Sequence, residues 1–292
     1  MSKAYAILDY DGFICKSYYA ALSKYFEVEP EFVLDRLEEA AIKKAATFFD
    51  VNEVVCIRLV SGHSWKKETY TSYKGTRKRD EYLGVYREMI AERDDVMICP
   101  GIEADDGVSL YAETLSNRNE DMIVVFSDDK DLECINVCHC KINIDTEIRQ
   151  PNTELIYCQM LAGDKEDDIQ GIPKVGIKTA QRLLSQESEY NLKDKFERVI
   201  EIYYKKNIPL QECIKNLNLV IPLSSKYCNN EREFFRIAKK IVEQGINNSE
   251  QEIMQIVNNQ QQFISNTAKH IYNYIEAQGD DKNVKQDKDT RK

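Results

Sequence analysis

Acidic side chains in this sequence gather at spacings that chemistry can use. Glu103, Asp105 and Asp106 open the stretch IEADDGVSLYAETLSNRNEDMIVVFSDDKDL, residues 102–132, and Asp128, Asp129 and Asp131 close it. Asp9 and Asp11 stand near the amino terminus, and Asp164, Asp167 and Asp168 form a further group. Carboxylates packed this densely repel one another, so a fold that gathers them needs bound cations or raised pKa values. Hard oxygen ligands around an open position suit Mg2+ or Mn2+. The competing reading is a solvated acidic face, the ordinary fate of a charge run.

The elements that must position these acids follow from periodicity. Residues 3–9 and 53–59 read as buried strands, 96–99 as a short third, 122–126 as a fourth and 140–144 as a fifth. Residues 17–25 and 30–49 are predicted helical, the second keeping Phe32, Leu37, Ala41, Ala45 and Phe48 near a 3.6 period. A further helix opens at the acids of residues 103–106. Strands alternating with helices predict an α/β fold with a mainly parallel central sheet flanked by helices. Such sheets collect ligands at the carboxyl ends of their strands. Asp9, Asp11 and the 128–131 cluster fall there, although Asp9 also reads as a turn residue before Gly12. From residue 153 the pattern becomes helical, and the end, GDDKNVKQDKDTRK, is polar and predicted disordered.

The 292 residues suffice for one large domain or two small ones. No apolar run reaches the roughly 18 residues of a membrane span, and MSKAYAILDYDG is not a signal peptide. Nine cysteines, an odd number set mostly in apolar segments, read as reduced cytosolic thiols. Cys134, Cys138, His139 and Cys140 match no paired zinc spacing. The net charge of −10 hides segregation. Residues 58–79 hold seven Lys or Arg against one acid, Glu68, whereas residues 94–131 hold eleven acids against Arg118 and Lys130. A basic patch beside an acidic pocket can hold a polyanion by its phosphates and cut it with metal.

The basic stretch mixes Lys66, Lys67, Lys74 and Arg77 with Trp65, Tyr70, Tyr73, Tyr82 and Tyr86. Cations neutralise phosphates and aromatic faces stack on unpaired bases. Lys74 and Arg77, three apart around Gly75, can face one phosphate together. Such a loop, 60–95, is expected to be mobile without nucleic acid, having few apolar contacts. Further on, GDKEDDIQGIPKVGIKTAQRLL places Gly171, Pro173 and Gly176 in a tight hairpin before a helix near Lys178. Backbone N–H groups and a helix N-terminus presented outward make a phosphate cradle, with glycines suited to positive φ. A plain helical turn is the alternative.

Four segments in this order, ILDYDG, YKGTR, GIEADD with SDDKDL, and GDKEDDIQGIPKVGIKTA, resemble the 5′ nuclease or flap endonuclease family. That family includes phage 5′ exonucleases, the RNase H of T-even phages and the 5′-nuclease domain of bacterial DNA polymerase I. The resemblance spans residues 5–180 and is most specific in the last segment. It implies a PIN-like core at 1–150 with a basic helical arch at about 60–95, and a helical lobe at 151–245. That lobe would carry a helix-hairpin-helix at 163–184, followed by a helical or disordered tail at 246–292. The implied metal ligands are Asp9, Glu103, Asp105, Asp106, Asp129, Asp131, Asp164 and Asp167. Lys74, Arg77 and Lys16 would act in catalysis, and Lys66, Lys67, Tyr73, Gly171, Gly176, Lys178 and Thr179 would contact DNA. The implied cofactors are two or more Mg2+, with Mn2+ substituting, and K+ at the hairpin. The implied substrate is DNA or an RNA–DNA hybrid with a 5′ end or flap, met by a cytoplasmic monomer, in a phage's host included, alongside replication proteins.

The sequence also departs from the family pattern. Counting back from Trp65 and YKGTR, Arg58 takes the place of an Asp that ends the second strand, while Asp168 replaces an Asn and Gln170 a Pro. An arginine cannot ligate Mg2+ and stays charged. Arg58 is therefore expected to pair with Asp106 or Asp9 and weaken one metal site; the alternative is that it turns outward or holds a DNA phosphate while Asp11 supplies the missing oxygen. The leading expectation is a Mg2+-dependent 5′-3′ nuclease removing primers or flaps. A non-catalytic junction-binding protein is the second, and a PIN-type ribonuclease, which leaves GIPKVGIKTA unexplained, the third.

Overall fold

The computed structural model describes residues 3–222 apart from 79, 100, 119, 121, 144–145 and 187–194. The last part of the expected lobe and the expected tail, 223–292, lie outside the described residues. A five-stranded sheet runs in the order β3-β2-β1-β4-β5, with every neighbouring pair parallel. Its strands are β1 (Ala4–Asp9), β2 (Val54–Ser61), β3 (Val96–Cys99), β4 (Ile123–Phe126) and β5 (Cys138–Cys140). The α/β class and the parallel sheet are those expected from the alternation. The fifth strand falls two residues earlier than the apolar run at 140–144 indicated.

Strand order reverses direction between β1 and β4, and the gap at their carboxyl ends is where such sheets hold ligands. Side chains alternate strictly across the sheet. Tyr5, Ile7, Ile57, Leu59, Ile123 and Val125 pack under α5 (Ala104–Asn117) together with Trp65, Val108 and Leu115. Ala6, Leu8, Val60, Val124 and Phe126 face the other way. They pack against α1 (Tyr10–Leu22), α2 (Pro30–Phe49) and α4 (Glu81–Ala91).

No residue separates β1 from α1. The helix begins seven residues before the expected start, because Tyr10, Phe13, Ile14, Ser17, Tyr18 and Ala21 keep a buried helical stripe through the Asp11-Gly12 pair. Asp11 therefore sits in the first turn of a helix rather than in a loop. A short α3 (Trp65–Thr69) follows β2, and α4 is capped by Asp80, which accepts from Tyr82 N at 3.1 Å and Leu83 N at 3.2 Å.

Beyond the sheet, α6 (Leu155–Ala162), α7 (Ile177–Leu184), α8 (Lys195–Lys205) and α9 (Leu210–Val220) enclose a separate apolar cluster that includes Ile156, Leu161, Val199 and Tyr203. A two-stranded ribbon, β6 (Gly163–Asp164) with β7 (Ile169–Gln170), leads from α6 to the hairpin. Asn216 fixes it by donating to Gln170 O at 2.7 Å and Met160 O at 3.2 Å.

Candidate metal-binding cleft

The acids arrive from three carboxyl-terminal ends. Asp9 closes β1, and Ser127, just after β4, donates from Oγ to Asp9 Oδ2 at 2.6 Å. The same Ser127 Oγ accepts from Asp129 N at 2.9 Å, and Asp129 caps the following 3-10 turn by accepting from Asp131 N at 2.9 Å. Glu103 precedes α5, and Asp105 and Asp106 lie in its first turn, where the helix dipole favours negative charge. Asp9, Asp11, Glu103, Asp105 and Asp129 line one cleft of about 950 Å³. Burial pushes the Asp9 carboxyl up to about 7, with Asp11, Asp129 and Asp105 adding repulsion against the Ser127 hydrogen bond. Burial also raises Asp129. Burial opposes ionisation of Asp105, but Lys66, Lys74 and backbone N–H groups outweigh it and hold that carboxyl below the usual range.

Lys67, Lys74, Arg77 and Arg87 form the basic part of the cleft lining. Lys74, at φ 52°, donates to Glu103 Oε1 at 2.9 Å and Oε2 at 3.0 Å, with Asp167 at 3.7 Å. Tyr73 OH donates to Glu103 Oε2 at 2.7 Å, and Arg77 pairs with Asp167. A clasp holds this segment to the turn before the hairpin. Lys74 N donates to Asp167 O at 2.9 Å, and Thr76 donates from N at 2.9 Å and from Oγ1 at 2.8 Å to Asp168 Oδ2. These bonds, with Trp65, Tyr73, Tyr86 and Ile90 buried, anchor much of a stretch expected to have few apolar contacts.

A network missed in the sequence sits opposite. Asp11 Oδ2 accepts from Ser61 N at 2.8 Å, and Asp11 Oδ1 accepts from Arg87 Nε at 2.6 Å. Arg87 also donates to Ser61 O, so α4 is pinned to the ends of β2 and α1. The available signal was the short spacing from Asp9 to Asp11 and a lone arginine on the inner side of α4.

The hairpin 171–176 sits where expected, but its glycines serve differently. Positive φ falls on Gly163 (71°), Asp168 (57°) and Lys174 (65°), while Gly176 has φ −101°. Gly171 is required by proximity, since a Cβ there would lie 2.1 Å from Ala162 C. Gly176 and Lys178 are exposed and Thr179 is half-buried at the start of α7, and nothing stands within 4 Å of a Cβ built on Gly176. That open N-terminus can receive a phosphate.

No protein-family model matches the chain. A 5′-3′ exonuclease of Buchnera aphidicola is 36% identical over 132 residues, 41% of this chain and 44% of that protein. Flap endonuclease Xni of Shewanella woodyi is 28% identical over 170 residues, 52% of this chain and 66% of that protein. The chain thus spans less than half the length of that exonuclease. The T5 D15 protein, co-crystallised with metal ions, shares the fold at a TM-score of 0.53 and 16% identity, over 91% of this chain and 99% of that one. The T5 D15 flap endonuclease in complex with DNA and metal ions gives 0.50 at 15% identity over the same shares. The chain is similar to the 5′ nucleases over the matched part.

Among the residues that resemblance to the 5′ nucleases singled out, several are placed otherwise than expected. Arg58 does not meet Asp9 or Asp106. In register with Leu8, it faces α2 and makes a bidentate pair with Glu38, its Nε donating to Oε2 at 2.9 Å, and lies 3.5 Å from Asp95. The β2 residue in register with Asp9 is Leu59, so a one-residue shift in counting reverses the face. Lys66, expected to bind DNA, is fully buried on Asp106, and Tyr73, expected there too, is buried with its hydroxyl on Glu103. Lys16 lies outside the cleft lining and pairs with Asp128 at 2.8 Å. Asp131 accepts from Gln159, and burial, then Asp129, pushes it up to about 7. Asp164 pairs with Lys130 at 2.7 Å. Neither Asp131 nor Asp164 lines the main cleft.

Among the described residues no group of three or more His, Cys, Asp or Glu is preassembled as a metal cage. The cleft offers mainly oxygen donors, with the carboxylates of Asp9, Glu103, Asp105 and Asp129 beside open space. This fits a hard cation that keeps several of its waters and is held by few carboxylates. Among the described residues no helix is long and apolar enough to cross a membrane.

Proposed function

We propose that the chain is a divalent-metal-dependent phosphodiester hydrolase acting at 5′ ends or flaps of nucleic acid. The observation that carries this reading is one cleft lined by Asp9, Glu103, Asp105 and Asp129 and by Lys67, Lys74, Arg77 and Arg87. Asp9, Glu103, Asp105 and Asp129 would hold the metal, Mg2+ with Mn2+ as substitute, at two or more positions. When bound, it supplies a more acidic water and a polarised phosphate. Lys74 and Arg77 orient the phosphate, exchanging Glu103 and Asp167 for it as substrate enters. Arg87 holds Asp11 and the end of β2 still. The N-terminus of α7, with Gly176, Lys178 and Thr179, takes a phosphate further along the duplex, with K+ beside it.

DNA or an RNA–DNA hybrid is the proposed substrate, cleared as primers or flaps in replication by a cytoplasmic monomer in contact with replication proteins. The named relatives, 5′-3′ exonuclease and flap endonuclease, support this class of activity. A non-catalytic junction-binding role rested on Arg58 blocking a metal, and Arg58 lies on the far face of the sheet. A 5′-labelled flap and a 5′-labelled RNA–DNA hybrid, each with and without Mg2+, test the proposal. Metal-dependent release of short 5′ products is expected, and intact substrate at every Mg2+ concentration would refute it.

A further inference from the structure

We infer that Lys66 is a built-in counter-cation for Asp106, so that Asp106 is withheld from metal and the cation-holding oxygens are those of Asp9, Glu103, Asp105 and Asp129. Lys66 Nζ lies 3.0 Å from Asp106 Oδ1 and 3.9 Å from Asp105 Oδ2. The side chains of Lys66 and Asp106 are 1% and 0% exposed, whereas that of Asp105 is 19% exposed and lines the cleft. Adjacent residues on a helix point about 100° apart, so two neighbouring acids in the first turn of α5 divide between cleft and interior. Mg2+ surrenders its waters reluctantly and needs ligand oxygens that solvent also reaches. Asp106 offers none.

The lysine is delivered there by its neighbours. Trp65 packs among Leu59, Ile102 and Val108, and its backbone N donates to Gly101 O at 3.1 Å, which fixes α3 across the start of α5. The stem of Lys66 then runs inward, and a compact ammonium with three donors suits the space between two carboxylates. A buried carboxylate without a counter-charge is costly, so the fold supplies the cation permanently instead of recruiting one. Glu103 and Asp105, the other acids acting on Lys66, remain available on the cleft side.

This inference rests on the metal reading of the cleft, and the test separates the two. Mn2+ is titrated calorimetrically into the full chain as wild type, Asp105→Asn, Asp106→Asn and the double variant Lys66→Met/Asp106→Leu, with melting temperatures recorded. Asp105→Asn is expected to weaken Mn2+ binding roughly tenfold or more. Asp106→Asn is expected to stay within about twofold of wild type while melting earlier, because Lys66 loses its partner. The double variant, lacking both charges, is expected to regain stability and keep wild-type Mn2+ affinity, and it carries the test if Asp106→Asn fails to fold. A loss of Mn2+ affinity in the double variant as large as in Asp105→Asn would overturn the inference and leave the metal reading standing. A wild type that binds no Mn2+ would remove both.

Discussion

Two cations lie on opposite faces of the same sheet, Arg58 half-buried and Lys66 fully buried, and their surroundings differ. On the α2 face Arg58 meets Glu38 through two hydrogen bonds, Tyr10 OH donates to the same carboxylate at 2.9 Å, and Asp95 stands at the rim. That pair is closed, with donors and acceptors satisfied within it. On the α5 face Lys66 lies on Asp106, Lys74 lies on Glu103 and both act on Asp105, so three carboxylates face two cations and the surplus negative charge opens onto a cleft. A buried ion pair is thus structural or functional according to whether its charges balance, and the imbalance marks the side that needs ions from outside.

The contrast breaks most sharply at the cleft. Asp129→Asn removes a repelled carboxylate, so its melting temperature is expected to hold or rise while cleavage falls on the order of 10³-fold, through loss of several kcal/mol of metal-borne stabilisation. Parallel melting and single-turnover measurements check this, and a large drop in melting temperature would place Asp129 with the structural pair. On the other face Glu38→Ala strands the Arg58 charge and is expected to destabilise the fold by about 3–5 kcal/mol in denaturant titration. Mn2+ affinity, corrected for the folded fraction, should not change. Lys74→Ala, which removes a positioned cation, is expected to lower turnover roughly 10²-fold, with little change in melting temperature. Saturating single-turnover rates distinguish this from weaker binding.

The smallest effect concerns His139, buried on β5. Burial lowers its pKa below 6.5, against the pull of Glu133. The unfolded chain then binds the proton first, so stability is lost as pH falls from 6.5 towards the folded value. His139→Asn should flatten the decline in melting temperature between about pH 7 and 5.5. An unchanged slope would assign that decline to the carboxylates.

Sequence pattern made the sheet legible because four of its strands are short apolar runs at regular intervals, and the acids at their ends followed from strand polarity. Arg58 was misplaced because side-chain facing has period two, and a count back from Trp65 across the residues after β2 could not fix it to the residue. Lys66 was taken for a surface cation because it sits in a basic stretch, and only the packing of Trp65 turns it inward. The Asp11–Arg87 contact joins residues 76 apart, which no local pattern carries. Asp131 and Asp164 matched a motif, but Gln159, which holds Asp131, lies outside the matched segments, and the Lys130–Asp164 pair joins two of them that no local pattern brings together.

The clasp between Thr76 and Asp168 has a consequence for synthesis. Its partners lie 92 residues apart, and the cleft's principal cations, Lys74 and Arg77, hang on the earlier of them. Ribosomes add about 5–20 residues per second, so the emerging sheet waits roughly 5 to 20 seconds for the turn that fixes its basic wall. Through that interval the basic wall lacks the clasp that fixes it, and the cleft is completed only when the second half of the protein arrives.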